Sequence, residues 1–430
     1  MRRYITHART LATSGTAKDT YLLFAGNIVS SFLAFVFTLI AARGLSVSDF
    51  GVFSAINNLV TIIGSVSDIG ISAGLVKFIA NYEAKGEPDK AKEVLKAALI
   101  LRLFSLGIFI FGLLLLPNFV SHKLLASDDV SLVYWTAVLS FVIMIWSFFP
   151  SVFAAYKRFK AAVGMDLSLG ATRVVLLLLF LFIGLITIRS VLLAFAIGGI
   201  VAGLLSLHLT GLDFLKKRPK KVLYIALLKF SGWVGLNRVA SAFSGRLDVQ
   251  MLAVMTGATI TGHYSISARL ALFIILVTSS FAAVLAPRLS SFEDKQKEKV
   301  YILKATLITI PIVLGTVFWI IIAEPFILIL FGDKYLPSVP IFKALAASMI
   351  PFILTAPTVT AIIYAMKKPV YIGIFSIYQF VVILVANILL IPKIGAYGPI
   401  VALAIVNSSL AIFTWVIVIK HYWLQKVAQS

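Results

Sequence analysis

The sequence predicts an all-α membrane protein of about twelve transmembrane helices, arranged as two pseudo-symmetric six-helix lobes with both termini cytoplasmic. Three observations predict it: the composition, the sorting of the basic residues, and an internal repeat. Of 430 residues, 60% are hydrophobic and 13% charged, with mean hydropathy +1.03. Soluble chains carry roughly a quarter of charged residues.

Apolar runs of about 18 residues or more, the length that spans a bilayer, fall near 20–42, 52–76, 97–116, 131–155, 164–187, 191–210, 224–252, 262–286, 303–323, 340–365, 370–391 and 396–419. The loops test that count, because lysine and arginine concentrate on the cytoplasmic side. With both termini inside, the inner segments hold 26 of the 38 Lys/Arg, counting Lys304 at a span edge, and the outer loops hold 5: Arg43, Lys123, Arg189, Lys334 and Lys393. A wrong number of spans would scramble this ratio.

The repeat is read from matched fragments. Gly51-Val-Phe53-Ser54 answers Gly262-His-Tyr264-Ser265 at an offset of about 211, and Lys77 answers Arg288. Leu95-Lys96-Ala97 recurs as Leu303-Lys304-Ala305, Lys157-Arg158 as Lys367-Lys368, and the Ala194 segment as that at Ala402. Six spans per repeat make both halves enter from the same side, an arrangement of secondary transporters with the substrate site between halves. The expected segments are a cytoplasmic N-terminal segment (1–19), an N-lobe (20–210), a basic cytoplasmic linker (211–223), a C-lobe (224–420) and a cytoplasmic tail (421–430). The linker, Leu215-Lys-Lys-Arg-Pro-Lys-Lys221, reads as a topology anchor. The charged stretches 78–96 and 290–304 read as helices lying at the inner surface.

Several function classes are excluded by composition. A net charge of +21 is also found in nucleic-acid binders, but these cluster basic residues on one soluble face; here they sit in short loops. Zero cysteines remove disulfides, thiolate metal sites and a cysteine nucleophile. The histidines, His7, His122, His208, His263 and His421, have no ligand spacing, so no metal site is expected. No cleavable signal is expected, since the basic, polar stretch 1–18 leads into a run long enough to span.

The chemistry is carried by charges inside the spans. Residues 230–257 form an apolar run that holds Arg238, Arg246 and Asp248. An arginine near mid-membrane costs at least ~2.5 kcal/mol on insertion scales, so such residues face a bundle interior or wet cavity. On one continuous helix Arg238 and Arg246 differ by about 80° and ~12 Å, so both can line one wall. Asp248 is turned away from Arg246, and Arg269 of the eighth span is its candidate partner. Gly245 allows a local kink. In the first half Asp166 and Arg173 share a face. Asp68 is a candidate to pair with Arg173 or to bind a coupling cation, Na+ or H+. Asn27, Asn57 and Asn58 can hydrogen-bond sugars or neighbouring helices. Arg102, Lys229 and Lys343 lie near span ends and are expected to snorkel to headgroups. Four arginines (Arg173, Arg238, Arg246 and Arg269) against two acids (Asp68 and Asp248) leave an excess of positive charge, and the guanidinium fork suits phosphate. The cargo expected is anionic.

The segment Ala42-Arg-Gly-Leu-Ser-Val-Ser-Asp-Phe-Gly-Val-Phe53, followed by Ser67-Asp-Ile-Gly-Ile71 and Lys77, resembles the polysaccharide-lipid flippases of the multidrug/oligosaccharidyl-lipid/polysaccharide exporter (MOP) superfamily. Tyr156-Lys-Arg-Phe159, Tyr364-Ala-Met-Lys-Lys-Pro369 and Gly395-Ala-Tyr-Gly398 are similar to that family as well, and the resemblance covers nearly the whole chain. It implies a MATE-like fold of two rocking lobes, contacting through the first, second, seventh and eighth spans. It also implies a lipid-linked oligosaccharide as cargo, membrane lipids around it, and glycan polymerases or transferases as partners in the cell (inner or plasma) membrane. On that resemblance the substrate-binding residues are Arg238, Arg246, Arg269, Arg173 and Asn27, with Asp68 and Asp248 for coupling or charge pairing. No catalytic residue and no bound cofactor are implied, because flipping breaks no bond. Twelve spans disfavour the peptidoglycan precursor, whose flippases have fourteen. Two rivals are a cation-coupled multidrug exporter, which would want a carboxylate-rich cavity, and a membrane-embedded glycan ligase or polymerase, which would want an acid or histidine base on a larger outer loop.

Overall fold

The computed structural model describes residues 15–424, where every assigned element is helical. The side chains at 15–18, 20, 233, 234, 236–244 and 424 lie outside the described residues, as does His7. In order the helices are α1 (Gly15–Gly44), α2 (Val47–Asp68), α3 (Ile71–Ala84), α4 (Pro88–Leu115), α5 (Ser131–Ala155), α6 (Phe159–Phe182), α7 (Ile188–Thr210), α8 (Lys221–Ser244), α9 (Leu247–Thr256), α10 (Ala258–Ser291), α11 (Lys295–Ile321), α12 (Ala323–Phe331), α13 (Ser338–Ser348), α14 (Ile350–Thr360), α15 (Val370–Ile394) and α16 (Tyr397–Ile419). Among the described residues eleven helical stretches are long and apolar enough to cross a membrane. The seventh expected span is the exception. It is divided at Gly245 into α8 and α9, so the angular argument for a continuous helix does not hold there.

Two spans are broken or extended in ways the hydropathy did not show. The second span leaves the helix at Ile69 and Gly70, both with positive φ (40° and 75°), and resumes as α3. A β-branched residue in that region is a steric outlier, costing on the order of 1–3 kcal/mol. The charged stretches expected to lie on the inner surface are instead continuous with spans: Pro88 opens α4, and the Asp294 side chain accepts the Gln296 amide at 2.8 Å to start α11. Both stretches hold strong helix-start signals, so the helix runs on from the charged turn into the apolar run.

The chain groups into two units, residues 1–46 with 56–242, and residues 47–55 with 243–430. In the first, Ile71, Leu75 and Ile79 of α3 pack with Val94 and Leu95 of α4, Phe148, Phe149, Val152 and Phe153 of α5, and Met165 and Leu169 of α6. The basic linker is clipped to this unit: Phe214 is buried, Lys96 Nζ donates to Leu215 O at 2.7 Å and Lys217 O at 2.6 Å, and Lys217 pairs with Asp89 at 2.6 Å. In the second, Leu285 and Leu289 of α10 pack with Ile302 of α11, Ile362, and Val418 of α16. Both units leave large apolar side chains outward, among them Phe111, Phe182, Leu314 and Ile377, as lipid contact requires.

The repeat seen in sequence is also a repeat of backbone. Lys157 and Lys367, which end the fourth span of each half, both take φ 55°, a conformation usual for glycine. The residue after each closes back on the helix, Arg158 N to Phe153 O and Lys368 N to Ile362 O. Gly184 and Gly395 likewise both have positive φ.

The matched pair Gly51 and Gly262 meets in the second unit. A Cβ on Gly51 would overlap Ala258 O and one on Gly262 would overlap Val47 O, so two backbones approach where only glycine fits. Gly51→Ala or Gly262→Ala is therefore expected to destabilise by roughly 1–3 kcal/mol, read as a lowered unfolding temperature in detergent. Gly315→Ala, with nothing near its Cβ, is the matched control.

Candidate substrate site

Of the charges singled out in the sequence, the second unit brings together Arg246, Asp248 and Arg269. Gly245 ends α8, and Arg246 caps α9 with φ −139°. That break turns Arg246 and Asp248 toward α10. The Asp248 carboxylate is bonded on both oxygens: Oδ1 accepts the Val249 amide at 2.8 Å and Oδ2 accepts the Tyr264 phenol at 2.7 Å. Tyr264 is fully buried. The expected ion pair between Asp248 and Arg269 does not form among the described residues, because the phenol one turn and a half before Arg269 takes that place. Arg246 lies within Coulomb range of both Asp248 and Arg269, and the two guanidiniums repel. Two half-buried cations thus lie near enough to repel, one of them beside a carboxylate that already holds two other donors. Such a cluster attracts an anion with several acceptor oxygens.

The register of the repeat places Phe53 where Tyr264 stands, Asn58 where Arg269 stands and Asn27 where Arg238 stands. The first half therefore carries no counterpart of the cationic cluster. Arg238 lies in α8, with its side chain outside the described residues.

In the first unit the candidates are dispersed. Arg173 is held against α7: its guanidinium carbon sits 3.4 Å from the Phe195 ring centroid, and its stem packs over Gly198. A cation over a desolvated aromatic face gains about 2 kcal/mol. Asn27 is exposed on α1. Asp166 accepts the Trp146 indole N–H at 3.2 Å.

Asp68 does not pair with Arg173. Its partner is Arg102, whose Nε lies 3.6 Å from Oδ1. Arg102 does not snorkel either; it is 1% exposed. The apolar run starts near residue 97, but the helix starts at Pro88, which places Arg102 about 21 Å from its beginning.

Sequence reasoning placed Arg102 at the headgroups, used Tyr264 only to mark the repeat, and passed over Asn387. Asn387 is fully buried in α15, and neither its amide nitrogen nor its oxygen has a hydrogen-bond partner. The signal for Asn387 was available, since it is a lone amide in the apolar run Val381–Ile391. Nothing in one dimension marks Tyr264 as the partner of Asp248.

The sequence matches a family model described as "Polysaccharide biosynthesis protein" over residues 16–293. The chain belongs to that family. No curated protein matches this member of the polysaccharide biosynthesis family, but solved structures do. The chain is similar to the lipid II flippase MurJ in an inward closed conformation, with TM-score 0.73, 16% identity, and coverage of 93% of this chain and 87% of that one. It is similar to an inward-facing multidrug resistance MATE family transporter of the MOP superfamily, with TM-score 0.71, 16% identity and coverage of 93% and 96%. A MOP superfamily transporter from Pyrococcus furiosus, described as having a binding pocket of reverse polarity, matches with TM-score 0.54, 16% identity and coverage of 94% and 93%. At these identities the likeness is one of fold, and the fold of this family member is that of MOP transporters.

Tyr264→Phe removes a buried donor from the half-buried Asp248 carboxylate. It is expected to cost about 1–3 kcal/mol of stability, measured by thermal unfolding in detergent, whereas Tyr301→Phe, whose phenol meets no carboxylate among the described residues, leaves the midpoint unchanged.

Proposed function

We propose that this chain flips a polyprenyl phosphate- or diphosphate-linked oligosaccharide from the cytoplasmic to the outer leaflet by alternating access, in the assembly of surface glycans. Arg246 and Arg269 receive the phosphate. The observation that carries the reading is their placement: two half-buried guanidiniums near enough to repel. Membership of the polysaccharide biosynthesis family supports a saccharide cargo. The fold alone does not choose, because MurJ and MATE structures fit about equally well. The sign of the charge supports the glycolipid, since an organic cation would meet two positive groups.

The test is flipping of a lipid-linked oligosaccharide in proteoliposomes. Arg246→Lys and Arg269→Lys keep the charge and lose the fork; each is expected to slow flipping about tenfold, the worth of one charge-assisted bond of ~1.4 kcal/mol. Lys343→Met is expected to leave the rate within about twofold of wild type, because a point charge near a span end grips nothing. Movement of organic cations without movement of the glycolipid, or equal losses in all three variants, would end this reading.

A further inference from the structure

The break in the second span coincides with the buried ion pair of the first unit. Two consecutive residues, Ile69 and Gly70, leave the helical region. The residue before them, Asp68, reaches across the break: its Oδ1 accepts both the Ser72 amide at 3.1 Å and the Ser72 hydroxyl at 2.6 Å, capping α3. Arg102 of α4 holds the same oxygen from the other side, at 3.6 Å. Arg102 in turn donates from Nη2 to Ser147 Oγ of α5 at 2.7 Å and lies 5.7 Å from the Phe148 ring. The backbone at the break is also seated closely on α8, where a Cβ on Gly70 would stand 2.7 Å from Gly235 N and from Ser231 O, and one on Gly235 would overlap Ile69 O.

We propose that Arg102 is a positioning residue for transport: through Asp68 it fixes the angle at which α2 passes into α3, and the transport cycle depends on that angle. An ion pair that serves only to hold helices together could sit anywhere along them, and apolar packing would do the same task at lower desolvation cost. This one sits where the backbone is strained, and its acid bonds the first turn beyond the strain. The second span also belongs in part to each unit, residues 47–55 to one and the rest to the other. A bend of defined angle in such an element is what a hinge motion acts on.

The transport half of this inference rests on the flippase reading; the geometric half does not, and the experiment reads them separately. The chain has no cysteine, so Ser48→Cys and Lys85→Cys, at the two ends of the span, take spin labels without background. The wild-type pair is expected to give one narrow distance. Arg102→Gln is expected to broaden it or add a second distance, and to slow glycolipid flipping at least tenfold. The double variant Asp68→Asn with Arg102→Gln removes both buried charges. It is expected to unfold near the wild-type temperature yet keep the broad distances and the slow rate, which a pair serving only as glue would not do. Full recovery of the narrow distance and the rate in the double variant, or a narrow distance retained in Arg102→Gln, would overturn the proposal. Broad distances with an unchanged rate would remove its transport half. Where Arg102→Gln fails to fold, the double variant decides alone.

Discussion

A guanidinium inside a hydrocarbon layer must be given something to bond, and the ways in which this chain does so explain most of its interior. Arg102 is matched with a carboxylate and a hydroxyl inside a packed helical unit. Arg173 is laid on an aromatic face. Arg246 is brought near Arg269 and near an acid that also accepts from Val249 and Tyr264. The first two arrangements set one cation against partners within a single helical unit, and the third sets two cations near enough to repel. The proposed phosphate contact is placed at the third because it gathers positive charge.

The same logic separates the two halves. They share a backbone plan down to a left-handed lysine after the fourth span of each, and they meet a common steric demand at Gly51 and Gly262. Their side chains have diverged where the chemistry lies. Tyrosine and arginine in the second half stand at positions held by phenylalanine and asparagine in the first. A duplicated scaffold thus keeps its helices in register while one half takes on charge.

The breaks in the spans carry as much of the argument as the helices. Gly245 turns Arg246 and Asp248 toward α10, and Asp68 with Gly70 turns the second span. In a membrane a helix is the default because it satisfies its own backbone, so each interruption needs local partners. At both breaks a carboxylate supplies them, accepting the amide of a residue in the first turn beyond.

The sequence by itself determined what depends on composition and order. Apolar run length set the number of spans to within the divided seventh, and matched fragments set the repeat. Gly245 was legible as a kink because glycine is where a helix gives way. What only the tertiary structure decided was pairing. Arg102 seemed to stand at a span end because its helix begins nine residues before the apolar run, in a charged turn that hydropathy discounts. Asp68 and Asp248 had several arginines within plausible reach, and which was met by Arg102 and which by a phenol depended on how neighbouring helices face one another. Periodicity along one helix carries no information about that, because the partner of a buried charge lies on another helix, at a distance in sequence that no local pattern encodes.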